Sequence, residues 1–304
     1  MLDGADGPST GKSVSDLAWT GEPETEEIHD FLLAVREADG RPEDTGFDGG
    51  EHLLGHVDGE LVAYAHLDTE GDSHGNQVAE LFVHPAHRRS GHGRALTKAL
   101  AEHVAGKPLR VWAHGDHPAA VHIAGTEGFE RARELLILHA DAEAADWPEP
   151  VTREGVTLRT FVPGQDEEAM VRVNARAFDW HPEQGALTAD EVRATEKEAW
   201  FDPEGFFLAE EDGKVIGFHW TKVHEAVPGR FGGEPAGEVY VVGIDPDAQG
   251  GGLGKALTLA GLRYLRDRGL GQVILYVEGD NAPALAVYSK LGFTRYEVDV
   301  QYAR

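Results

Sequence analysis

The sequence predicts an α/β protein built as two tandem domains, each an α+β unit around a mixed sheet. Three observations carry that expectation. The chain has 304 residues with 41% hydrophobic content, which suits two packed domains of about 150 residues each. Its two halves repeat: Pro85 and Arg88 recur as Pro246 and Gln249 at an offset of 161 residues. Asp116 and Gly128 recur as Asp280 and Gly292 at 164, so one short indel separates the copies. Each copy also has a strand ended by proline, a glycine-dense loop and then a helical run.

Residues 1–15 are polar and Gly/Ser-rich and read as a loose tail. The first domain is expected over 16–140. Ile28, Phe31, Leu32 and Val35 recur at helical spacing within 24–38. Strands follow at 52–57 and 61–67, turned by Asp58-Gly59, a pair that tolerates the left-handed conformations of tight hairpins. The strand over 80–84 stops at Pro85, the loop Arg88–Gly93 follows, and a helix starts near Arg94. A strand at 109–113, a helix at 118–126 and a strand at 133–139 close this copy. The acidic, proline-bearing stretch 141–154 reads as a linker.

The second domain, 155–304, repeats the order. A strand at 156–161 precedes helices at 165–177 and 188–198. A hairpin follows with arms 206–210 and 215–220, turned by Asp212-Gly213. Apolar residues dominate the run 239–244, as in a strand buried on both faces, and Asp245-Pro246 ends it. Gln249–Gly254 and a helix come next, then a strand at 273–277, a helix at 281–290 and a last strand at 295–302.

Composition narrows the function. The formal charge of −27, from 54 acidic and 27 basic residues, disfavours nucleic acid and anionic membranes as partners. With no cysteine there are no disulfides, thiolate metal sites or cysteine nucleophiles. The sixteen histidines scatter without a metal-binding spacing, so no metal is expected. No apolar run is long enough to span a membrane and no signal segment is read, which points to a cytoplasmic protein, expected to be a monomer.

The stretch 238–254 is where chemistry is expected. A strand feeding a glycine turn and a helix aims several free backbone N–H groups at one point, a geometry suited to phosphate. A tight strand–helix turn without a ligand would use the same glycines. The order of elements, together with the two loops Arg88–Gly93 and Gln249–Gly254, resembles the GCN5-related N-acetyltransferase (GNAT) superfamily. His117 with Gly128-Phe129, and Asn281 with Gly292-Phe293, extend the likeness. It implies that the loop amides bind the pyrophosphate of acetyl-CoA, in one or both copies, and that the acyl-pantetheine lies where the preceding strand splays from its neighbour.

In copy two, the resemblance places cofactor contacts at Val242, Gly243 and Ile244, then at Gln249, Gly250, Gly251, Gly252, Leu253, Gly254 and Lys255. It adds Asn281, Ala282, Pro283, Ala284, Leu285 and Ala286 on the sulfur side. In copy one the matching positions are Leu81, Phe82 and Val83, then Arg88, Arg89, Ser90, Gly91, His92 and Gly93. Segments 177–185, 220–224, 237–243 and 275–281 are similar to an actinobacterial branch of the family. That branch acetylates the cysteinyl amine of cysteinyl-glucosaminyl-inositol to give mycothiol. For this thiol-glycoside acceptor the likeness implies Glu183, Lys222, Glu238 and Tyr276. The segment 39–44 departs from that pattern, and an acidic contact near 43–48 is not assigned.

Amide formation requires the acceptor ammonium to lose a proton and the leaving thiolate to gain one. Glu238, at the start of the central strand, is the expected general base, and Tyr288 the expected general acid. A carboxylate at a strand start could also be a surface group, and Tyr288, between Leu285 and Leu291, a core aromatic. At the same offsets copy one has Gln77 and Ala124, so it is expected either to be structural or to bind acetyl-CoA without reacting it. Acetylation of another small amine or a protein N-terminus, and a non-catalytic acyl-CoA sensor, are the competing readings.

Overall fold

A computed structural model describes residues 16–21, 26–40, 47, 49–72, 74–180, 184–227 and 230–304. The expected tail 1–15 lies outside them. The chain folds into two units, and neither is continuous in sequence: one is Met1–Arg133 with Asp299–Arg304, the other Glu134–Val298.

In the first unit the elements are β1 (Asp16–Thr20), α1 (Glu26–Asp39), β2 (Glu51–Val57), β3 (Glu60–Asp68), β4 (Gln77–Val83), α2 (His92–His103), β5 (Leu109–Ala113) and α3 (Pro118–Glu127). β1 to β4 pair antiparallel in sequence order, and β4 pairs parallel with β5. Asp58 and Gly59 both take positive φ, 53° and 89°, and close the expected hairpin. The helical stripe Ile28, Phe31, Leu32 and Val35 is buried against Leu61 and Tyr64 of β3. At about 1.5–3 kcal/mol per fully buried large side chain, that stripe holds α1 on the sheet.

The second unit takes in most of β6 (Glu130–Asp141), then β7 (Val156–Thr160), α4 (Glu167–Ala177), α5 (Ala189–Thr195), β8 (Phe206–Glu211), β9 (Lys214–His224), β10 (Ala236–Ile244), α6 (Leu253–Asp267), β11 (Gln272–Glu278), α7 (Ala282–Lys290) and most of β12 (Thr294–Ala303). Its sheet runs β6-β11-β10-β9-β8-β7, and β10/β11 is its parallel pair. Both faces are covered, as the apolar run 239–244 requires. Leu259, Leu262 and Leu265 of α6 pack on Val239, Val273 and Leu275. On the other face Met170, Val173 and Val192 pack on Phe206, Phe218, Trp220 and Val241.

The structure departs from the expected organisation in three places. The stretch 141–154 is packed onto the second unit: Trp147 is buried, and its indole N–H donates to Leu291 O at 2.9 Å. β1, only five residues long with Leu17, Ala18 and Trp19 as its apolar residues, adds a strand at the start of the first domain that the sequence does not predict. The last strand of each copy serves the other unit's sheet. Residues 300–303 of β12 pair with β5, and residues 135–141 of β6 pair with β11.

Candidate active site

The site is organised by an irregularity in β10. Its parallel ladder with β11 runs from Ala236↔Gln272 to Val239↔Leu275, while its antiparallel ladder with β9 continues to Ile244↔Gly217. Between Val239 and Val241 the register with β9 shifts, a β-bulge. One extra residue bends the bulged strand and ends regular pairing. Val242, Gly243 and Ile244 therefore stand beyond the last β10–β11 pair, where the strands part and backbone groups can receive a ligand.

At the end of β10 the Asp245 side chain accepts from Asp247 N at 3.0 Å and sets a 3-10 turn. Gly250, Gly251 and Gly252 then take φ of 94°, 58° and 80°, conformations costly for other residues. Gly252 is the N-cap of α6, with no side-chain cap and no acidic residue in the first helical turn. Leu253 N–H turns back to Gly250 O at 3.3 Å, and the N–H groups of Gly254 and Lys255 form an open, positively polarised helix start suited to a pyrophosphate. One residue absent from the sequence-based set belongs here. Arg153 packs along Gly251, donates from Nη1 to Ala248 O at 3.1 Å, and is held by Glu211 through Nε and Nη2 at 3.1 and 2.8 Å.

On the face of the sheet turned toward α4, Glu238 is only 5% exposed. Its Oε2 lies 2.6 Å from His224 Nε2 on β9. Lys222 is directly across the ladder from Glu238. Its Nζ sits 4.7 Å above the Trp200 ring and 5.3 Å above Tyr240, which is cation–π geometry. Tyr240 is 40% exposed, and burial, with the nearby Glu238 charge, pushes its phenol up. On β11, Val273, Leu275 and Val277 point into the α6 core, so alternation puts Tyr276, 39% exposed, on the Glu238 face. Glu238, Lys222 and Tyr276 therefore share one face. Glu183 and the acidic segment 41–46 lie outside the described residues.

Tyr288 is on the other face. It packs on the cluster containing Val239 and Leu275, with its ring edge-on to Phe293 at 5.7 Å. Its hydroxyl hydrogen-bonds to no described residue, and burial pushes its pKa up to about 12. The two candidate proton-transfer groups thus lie on opposite faces, with the parting of β10 and β11 between them. Asn281 caps α7, its Oδ1 accepting from Ala284 N at 3.2 Å. The following turn carries exposed Ala282, Pro283 and Ala286, while Ala284 and Leu285 pack on the core.

The first unit keeps the loop without these partners. Gly91 (φ 87°) is an uncapped N-cap of α2, and the first helical turn has no acid. Leu81, Phe82 and Val83 end β4, and Phe82 packs with the α1 core. Arg89 has φ 68°. His92 is buried, and burial, then neighbouring His87, holds its imidazole below the usual range. Arg88, expected at the phosphate, instead forms a two-pronged pair with Asp39 at 2.7 and 2.8 Å and donates from Nε to Val83 O. Gln77 and Ala124 are both buried.

Two clusters in this unit escaped sequence reading. His114 lies between Glu80, at 3.0 Å, and Asp299, at 3.1 Å. Burial disfavours its charge, but the bonds to Asp299 and Glu80 outweigh that and push it up to about 10. Glu60, His84 and His87 bring possible metal-ligating atoms within 4.8 Å of one another, against the expectation that the histidines are scattered. Among the described residues, no helix is long and apolar enough to cross a membrane.

Comparison with known proteins gives a consistent picture. A family model described as the acetyltransferase (GNAT) family matches residues 12–129 and 173–293. A mycothiol acetyltransferase of Amycolatopsis mediterranei is 70% identical over 290 residues, covering 93% of this chain and 96% of that one. Another, from Streptomyces coelicolor, is 48% identical over 306 residues, covering 97% and 96%. Among solved structures, a GCN5-related N-acetyltransferase from Sphaerobacter thermophilus superposes with a TM-score of 0.69 at 24% identity over 95% of each chain. A tandem GNAT protein from the clavulanic acid pathway gives 0.65 at 19%, covering 95% of this chain and 98% of that one. These two structural likenesses concern the fold alone.

Proposed function

The chain belongs to the acetyltransferase (GNAT) family, and from that premise we propose that it transfers the acetyl group of acetyl-CoA to the cysteinyl amine of cysteinyl-glucosaminyl-inositol, forming mycothiol. The observation that carries this reading is the near full-length identity to proteins named mycothiol acetyltransferase. The open, acid-free start of α6 beyond three left-handed glycines fits the pyrophosphate. Arg153 keeps that loop in shape.

Acetyl-CoA supplies the thioester carbonyl that the acceptor nitrogen attacks. Glu238 takes a proton from the cysteinyl ammonium, freeing the nitrogen lone pair. Its burial raises the strength of a charge interaction made there, because water is largely excluded. Tyr288, protonated throughout the neutral range, gives its phenolic proton to the departing thiolate. Lys222 and Tyr276 hold acceptor hydroxyls on the Glu238 face, with Glu183 as a further contact. The first unit binds acetyl-CoA at its own loop without turnover, since Gln77 and Ala124 offer no proton transfer. The protein is read as a cytoplasmic monomer acting on a small molecule.

The test is incubation with acetyl-CoA and the cysteinyl-glucosaminyl-inositol acceptor, followed by mass spectrometry. The acceptor should gain one acetyl group. Glu238→Gln should cut kcat by about 10²–10⁴-fold, the usual size of a general-base contribution. An unmodified acceptor with wild-type protein would rule out this substrate.

A further inference from the structure

We infer that His224 is a positioning residue for the base: it holds Glu238 Oε2 and leaves Oε1 to take the acceptor's proton. The inference rests on the reading of Glu238 as base. It starts from the 2.6 Å contact between His224 Nε2 and Glu238 Oε2. An ionised carboxylate can only accept hydrogen bonds, so Nε2 must carry the hydrogen and donate it. Charge-assisted bonds of this length are among the strong ones.

The register explains how the two meet. Glu238 is opposite Lys222, and His224 is opposite Ala236, so His224 is the diagonal neighbour of Glu238 on the same face. Lys222 is nearer in the ladder, but its ammonium lies over Trp200 and Tyr240. Among the described residues His224 is therefore the hydrogen-bond partner of the Glu238 side chain. A carboxylate this buried and without a fixed partner would turn about its χ angles, and misplacing a catalytic group by about 1 Å costs on the order of 10²-fold.

With Oε2 engaged, Oε1 accepts from no side chain among the described residues and is open to the acceptor. In the transfer the ammonium N–H bond breaks as an Oε1–H bond forms, and the nitrogen keeps the electron pair it uses on the thioester carbon. His224 touches no reacting atom.

The experiment compares wild type with Glu238→Gln, His224→Ala and His224→Gln in the full chain, measuring kcat and both KM values. His224→Ala should lower kcat about 10- to 100-fold while the KM for acetyl-CoA holds. His224→Gln, which can place an amide N–H near the lost Nε2–H, should recover most of that loss. Added imidazole should partly rescue His224→Ala, which general destabilisation would not allow. In the double variant, His224→Ala should cost nothing beyond Glu238→Gln, since the two act as one unit. Wild-type kcat in His224→Ala beside an inactive Glu238→Gln would overturn the inference and spare the base. Full activity in Glu238→Gln would overturn both.

Discussion

The environment of Tyr288 suits it to the donor role proposed for it. An ordinary phenol ionises near 10, and burial on the α6–α7 side pushes this one up to about 12. It therefore reaches the active pH range fully protonated, able to donate. Tyr264 is also pushed up to about 12, by burial and then its bond to Asp202, so a bulk titration would not isolate Tyr288. A spectrophotometric titration of wild type minus Tyr288→Phe should show one phenol ionising near 12, and a component near 10 would refute it. The folded pKa is raised, so any stabilisation from this group is complete below about pH 10 and fades as pH climbs toward 12. Because the hydroxyl bonds to no described residue, the phenylalanine variant should keep its thermal midpoint while kcat falls by about 10²-fold or more. At this scale the family resemblance named Glu238, Lys222 and Tyr276, and position in the second copy added Tyr288; the structure puts the first three on one face of the sheet. Trp220, Lys222 and His224 also alternate onto one face, so His224 was in principle readable. Tyr240 was not, because nothing in 238–244 announces the bulge, and Trp200 sits in a loop with no period. Arg153 was masked by its place in an apparent linker.

Elements meet through side chains that the sequence does not pair, and β9 against α6 is the clearest case. His219 is fully buried on β9, with Nδ1–H donating to Leu257 O of α6 at 2.8 Å. Burial holds its pKa down to about 4, so the ring is neutral in the fold. Gly261, one turn further along the helix, lets that ring approach. A Cβ placed there would come within 2.1 Å of His219 Cε1 and 2.8 Å of Thr221 Cγ2. In most helices replacing an interior glycine by alanine gains about 1 kcal/mol. Here overpacking should outweigh that gain, with a net loss of about 1–3 kcal/mol. A lower denaturant midpoint with unchanged slope would match, whereas a stabilised Gly261→Ala would show that the helix can shift away. Helices were readable to within a few residues because their apolar stripes and punctuation agree, as with the Thr188–Glu191 capping box that opens α5. β9 and β6 extend beyond their expected ends because their pairing partners, not their own composition, decide where they stop.

The duplicated architecture was legible because offsets of 161 and 164 compare each element with its counterpart. The exchange of last strands was not, since an offset carries no information on which strand lies beside which. Its consequence is that the final six residues belong to the first unit. Val300–Ala303 pair with Ala113–Arg110, and Arg304 and Leu109 exchange backbone bonds at 3.1 and 3.0 Å. Asp299 adds a buried carboxylate that receives Gly115 N–H at 3.0 Å and faces His114 at 3.1 Å. Removing residues 299–304 should leave β5 as an unpaired edge, the kind of surface that recruits foreign strands. Hydrogen exchange should then quicken in β4 and β5 while the β6–β11 ladder keeps its protection, and equal protection in β5 would contradict the exchange. Asp299→Asn is the subtler probe. Replacing the carboxylate that faces His114 should cost about 1–3 kcal/mol at neutral pH. His114 has its folded pKa raised to about 10, so its contribution is complete below about 6.5 and is lost as pH rises through 10. Wild type should therefore lose stability between neutral pH and 10, and Asp299→Asn should lose less over that range. Parallel pH–stability curves for the two proteins would mean that the imidazolium does not tie the chain's end to the first unit.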